Sequence, residues 1–135
     1  MKAHGSAAWF GMVGALMCEA AREAALPPGL HVSLVERLLD GAPLPGGQVA
    51  GLRFDILGGR PAFRIGVGPD EVGDITIEVT VAASRTLNTL YGADPRFGAE
   101  FTRLQQAGAL RITGDLERLG SWFDAIHDRI VARTA

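Results

Sequence analysis

The sequence predicts an α+β fold, an antiparallel sheet of about four to five strands with helices packed on one face, in the order α-α-β-β-β-α-α-β-α. Three observations predict it. Strict two-residue alternation occupies the middle of the chain, cleanest where Ile75, Ile77, Val79 and Val81 oppose Thr76, Glu78 and Thr80. Apolar residues at three- and four-residue steps come before and after that stretch. Proline and glycine clusters punctuate the changes of period.

From Ser6 to Leu26, Trp9, Val13, Leu16 or Met17, Ala20 and Ala24 return to one helical face. Gly11 and Gly14 each cost about 1 kcal/mol of helix propensity against Ala and mark a close helix contact, which would also allow a homodimer through this helix. The apolar stretch Ala7 to Cys18 has the length of a signal-peptide core but falls short of the about 20 residues a bilayer needs, and it reads as a buried helix. Pro27, Pro28 and Gly29 stop it. A second short helix is expected from about His31 to Leu39, with Leu34, Val35, Leu38 and Leu39 inward and Gly41 as C-cap. Ala42 to Gly47 is a connector.

Leu52, Phe54 and Ile56 then alternate with Arg53 and Asp55, and Gly58-Gly59 turns the chain into a return strand over Ala62 to Val67. Gly68 to Gly73 leads into the strand that starts after Asp74. Helical spacing resumes over Ala82 to Tyr91, Asp94-Pro95 opens another helix that ends near Gly108, and Leu110 to Thr113 is a short strand. Asp115 caps a final helix whose stripe is Leu116, Leu119, Phe123, Ile126 and Ile130. No segment repeats.

Composition narrows the function. The 135 residues make one domain, 47% hydrophobic and 21% charged, in the range of a globular protein. Thirteen basic against fifteen acidic residues leave a formal charge of -2, and all the cations but Lys2 are arginines, so no basic stripe for nucleic acid and no polybasic run for an anionic membrane is present. A single cysteine, Cys18, forms no internal disulfide, has no positive neighbour one turn earlier and reads as an inert core thiol in a reduced, cytoplasmic protein. His4, His31 and His127 lie in separate segments and read as surface histidines; no metal set is specified. Gly58-Gly59-Arg60 and Gly66-Val67-Gly68 are turn glycines without the helix N-terminus a phosphate needs. Asp70, Glu71 and Asp74 lack the periodicity of a calcium loop. No cofactor motif and no nucleophile elbow occur.

Two stretches, Asp74-Ile75-Thr76-Ile77 and Gly108-Ala109-Leu110-Arg111-Ile112-Thr113-Gly114-Asp115, resemble the sterol carrier protein type-two family, where an Asp-Val-Thr-Ile-like strand runs into a helix and a Gly-Lys-Leu-Lys-Ile-x-Gly-Asp segment precedes the last helix. The resemblance spans roughly Val49 to Arg133 and divides the single domain into an N-terminal helical extension, 1–48, and a lipid-binding core, 49–135. It implies a bacterial relative of a small non-catalytic lipid carrier, with a sterol, fatty acyl chain or isoprenoid held between sheet and helices. It equally implies an accessory factor that presents an isoprenoid, quinone or polyketide intermediate to partner enzymes, for which an exposed apolar patch on Ala7 to Ala25 would serve. The C-terminal Ala-Arg-Thr-Ala lacks the family's peroxisomal address.

Leu87, Leu90, Tyr91, Phe97, Phe101, Leu104, Trp122, Phe123 and Ile126 are the candidate ligand-binding residues. An isomerase or cyclase built on the same pocket would need Tyr91, Asp94 or His127 to face the ligand.

Overall fold

In the computed structural model, which describes residues 1–135, the elements are α1 (Ala7–Glu23), β1 (His31–Leu38), β2 (Val49–Leu57), β3 (Arg60–Val67), β4 (Ile75–Val79), α2 (Val81–Asn88), α3 (Phe97–Gln106), β5 (Leu110–Thr113), α4 (Ser121–Ala125) and α5 (His127–Ala132). The five strands form one sheet in the order β3-β2-β1-β4-β5. Three of its neighbouring pairs are antiparallel. The central pair, β1 with β4, is parallel, so the sheet is mixed.

The segment His31–Leu38, expected to be a helix, is the central strand. Val32, Leu34, Glu36 and Leu38 point to the helix-covered face, but Val35 and Arg37 on the opposite face are buried as well. A strand buried on both faces loses its alternation. Leu34, Val35 and Leu38 then fall by coincidence at helical spacing.

α1 covers the β2–β3 end of the sheet. Ser6 caps it by accepting the Trp9 N–H, and Trp9, Phe10, Val13 and Met17 are buried in the core with Phe54, Leu52 and Ile56. The two glycines explain its approach: a Cβ on Gly14 would collide with the Phe63 ring, and one on Gly11 would touch Ile65. The close contact that the glycines signal is therefore made within the chain, to β3, and the apolar stripe of α1 is spent on the sheet rather than left open for a partner. Cys18 is buried on this helix, and burial raises its thiol pKa.

The opposite face of the sheet is a charge ladder closed by the loop 68–74. Arg37, 6% exposed, donates to the carbonyls of Gly68 and Glu71 and to the Glu78 carboxylate. Glu71 bridges Arg53 at 3.0 Å and Arg64 at 2.6 Å. The Gly68 N–H is the first cause, and the two guanidiniums a further one, that hold its carboxyl down at about 2. Glu71→Ala removes all three contacts and is expected to destabilise the protein by about 2 kcal/mol and to speed amide exchange in 68–74, measured by urea titration and hydrogen exchange.

The Asp74 motif residue staples the parallel pair. Its carboxylate accepts from the N–H and hydroxyl of Ser33 on β1, while its own N–H donates to Ser33 Oγ. Thr80 then ends β4 and caps α2 by accepting the Ala83 N–H. Asp94 does not cap α3; it accepts from the Arg96 N–H and guanidinium in the turn before the helix, which starts at Phe97. The single final helix expected after Asp115 is broken. Asp115 caps a 3-10 turn over Leu116–Leu119, Gly120 follows at φ 107°, and α4 and α5 are two short helices. The positive φ at Gly120 interrupts the hydrogen-bond ladder that the apolar stripe alone suggested.

Candidate functional site

Between the sheet and the C-terminal helices lies a cavity of two adjoining lobes. The main lobe, about 160 Å³, has its floor on β4 and β5 at Ile77, Val79, Leu110 and Ile112. Its walls are Leu87 on α2, Phe97 and Phe101 on α3, Leu116 and Phe123. The second lobe, about 140 Å³, reaches toward α1 at Val13 and Met17 and is closed by Ile126 and Ile130. The lobes share Glu36, Asn88, Phe123 and His127, which places three polar side chains at the waist.

Glu36 reaches the waist because it occupies the helix-facing parity of β1, opposite Leu52 of β2 and Ile77 of β4. A carboxylate in that apolar row loses most of its hydration, and burial pushes the Glu36 carboxyl up to about 7. No hydrogen bond or ion pair joins it to another residue. The surface it keeps opens into the two lobes.

Its neighbours at the waist are committed on one side only. The Asn88 amide nitrogen donates to the Ser84 carbonyl at 2.8 Å and to Ser84 Oγ at 3.3 Å, which leaves Asn88 Oδ1 an open acceptor. His127 Nε2 lies 2.8 Å from the Leu90 carbonyl, and because a carbonyl only accepts, Nε2 carries the proton. In the neutral ring Nδ1 is then a second open acceptor. Phe97 packs on this ring at 4.8 Å between centroids. Behind Ser84, His4 Nε2 contacts Ser84 Oγ at 2.8 Å; burial and then the Arg85 charge lower its pKa.

The structure brings together Leu87, Phe97, Phe101 and Phe123 in the main lobe and Ile126 in the second. Four expected residues sit elsewhere. Leu90 and Leu104 are buried in packing, Tyr91 is 50% exposed at the surface, and Trp122 packs against Phe54 and donates its indole N–H to the Leu119 carbonyl. The break at Gly120 starts α4 immediately before Trp122, whose ring lies on Phe54 of β2. Of the three groups an enzyme would need, Tyr91 is outside the cavity, Asp94 is paired with Arg96, and His127 lines it rather than the surface. Glu36, Ser84 and Asn88 were missed. The signal for Glu36 is a lone acid on the apolar parity of Val32, Leu34 and Leu38, readable only once the segment is taken as a strand.

No group of histidine, cysteine or acidic side chains converges as a metal site, and no helix is long and apolar enough to cross a membrane. No protein-family model and no curated protein matches the sequence. Among solved structures, a crystal structure of sterol carrier protein 2 aligns over 97% of this chain and 98% of its own, with a TM-score of 0.53 and 16% identity. A ubiquinone synthesis protein, UbiJ-SCP2, aligns over 90% of both chains at a TM-score of 0.45 and 15% identity. A double mutant of the sec-alkyl sulfatase PisA1 aligns over 84% of this chain and 16% of its own, with a TM-score of 0.47 and 19% identity. The near-complete overlay of the first, at a TM-score above 0.5, shows that this chain has the fold of sterol carrier protein 2.

Proposed function

We propose that this protein binds and carries a hydrophobic molecule, held between the sheet and α2, α3 and α5, without acting on it chemically. The observation that carries the reading is the main lobe, whose lining is apolar at nine of thirteen residues and contains no paired acid and base. The fold it shares with sterol carrier protein 2 supports it.

Volume sets the ligand's shape. A dry apolar cavity of about 150 Å³ takes a molecule the size of benzene. Two adjoining lobes of about 160 and 140 Å³ therefore suit a slender fatty acyl or isoprenoid segment of about a dozen carbons, and a rigid four-ring sterol would need the walls to part.

Native mass spectrometry with extraction of the bound molecule tests the reading. A stoichiometric adduct carrying an aliphatic chain is the expected result; a clean apo mass with no thermal shift from fatty acids, isoprenoid alcohols or sterols would overturn it. Leu87→Trp fills the main lobe from α2 and is expected to lower uptake at least tenfold in a folded protein, measured by lipid co-purification.

A further inference from the structure

The waist of the cavity carries more information than its apolar lobes. Glu36, Asn88 Oδ1 and His127 Nδ1 are three acceptors without partners, while the donors at the same place are already used, on Ser84 and on the Leu90 carbonyl. A cavity that only stored hydrocarbon would be better built with Leu or Val at position 36, since a half-buried acid in an apolar row without a partner is costly. From the shared lining of both lobes by these open acceptors and one unpaired acid we infer that the waist recognises the head of the ligand, and that this head is a hydrogen-bond-donating cation, a primary aliphatic ammonium. The inference rests on the cavity holding an aliphatic chain, as proposed above.

The stoichiometry of donors fits. An alkylammonium offers three N–H donors and no acceptor, one donor for each of the three side chains. Its charge opposes the one carboxylate, so the occupied waist is neutral, whereas a carboxylate head would place two like charges in a low-dielectric site. An alcohol has one donor and leaves two acceptors empty. The chain alone contributes about 8 kcal/mol for ten buried methylenes, against an association cost of at least about 4 kcal/mol, so head recognition decides whether binding is useful.

The preference must follow the ionisation of Glu36. The charged and titratable groups around it are few. α5 contributes His127, α2 contributes uncharged Ser84 and Asn88 with Arg85 and His4 behind them, and α1, α3, α4, β2 and β4 face it with apolar side chains only. With its carboxyl at about 7, Glu36 goes from about one-tenth ionised at pH 6 to about nine-tenths at pH 8, so ammonium affinity rises about tenfold across that interval.

The test is calorimetric titration of the full chain with decylamine, decanol and decanoate at pH 6 and pH 8, repeated with Glu36→Gln. At pH 8 decylamine is expected to bind at least tenfold more tightly than decanol and far more tightly than decanoate. In Glu36→Gln the decylamine affinity should drop to that of decanol. Equal affinity for amine and alcohol in the natural chain would overturn the head-group inference alone, as would an amine preference that survives in Glu36→Gln. Failure of all three decyl compounds to bind would overturn the carrier reading with it.

Discussion

Replacing Glu36 by Gln is expected to make the protein more stable at pH 8 and to flatten its stability between pH 5 and pH 8. In the unfolded chain the carboxyl ionises near its ordinary value of 4.5, whereas in the folded protein burial holds its proton up to about 7. Between these values the folded state binds more protons than the unfolded state, so raising the pH favours unfolding. The loss starts above 4.5, is complete once the pH has passed 7, and amounts to about 3 kcal/mol for a shift of this size. Glu71 acts in the other direction and in another window. Its carboxyl is depressed to about 2, so its contribution is present above 4.5 and is lost as the pH falls toward 2. The two together place the stability maximum near pH 5. Urea titrations at half-unit intervals from pH 2 to pH 8 read both limbs. The falling limb above pH 5 should vanish in Glu36→Gln while the acid limb stays, and a falling limb that persists in the variant would show that another group causes it.

Gly114→Ala is expected to cost about 4 kcal/mol and to lower the melting temperature by about 15 °C. Gly114 holds φ at 92°, where a side chain is strained, and a Cβ there would collide with the Asp74 carbonyl oxygen while sitting 3.1 Å from Ile75 Cα. Neither neighbour is a side chain that could swing away, because both are backbone at the start of β4. Against a total stability of 5–15 kcal/mol, typical of domains in general, such a loss removes between about a quarter and about four-fifths of it. Thermal melts by circular dichroism check it; a shift of only a few degrees would mean that the β4–β5 end of the sheet can part to admit a methyl group.

These two residues also mark where the sequence was readable and where it was not. The Gly114-Asp115 motif and the alternation of β4 placed the end of the sheet and its turn correctly because local chemistry decides them: a positive φ, a capping carboxylate, a half-covered strand. The central strand was not readable by the same means. Burial of Val35 and Arg37 on the far face erased the alternation of β1, and its partner β4 lies about forty residues away, beyond any local pattern. Missing that strand hid Glu36, so the cavity's apolar lining was anticipated in Leu87, Phe97, Phe101, Phe123 and Ile126 while its polar waist was not. Tyr91 and Trp122 went the other way, since an aromatic on a helical stripe near a pocket has the same sequence signature whether it faces in or out.

The parallel pairing of β1 with β4 has a kinetic side. α1 and the β1–β2–β3 meander form one contiguous stretch of chain, and β4 through α5 form the next. Of the thirteen residues that line the main lobe, Glu36 alone comes from the first stretch. The cavity is thus a joint between two consecutive stretches of the chain, and a molecule seated at the waist touches both. Amide exchange in β1 and β4 should then slow together as ligand is added, by an amount that tracks occupancy, while the outer hairpin β2–β3 keeps its own rate. Loading would act as the last step of folding, and release as its partial reversal along the seam.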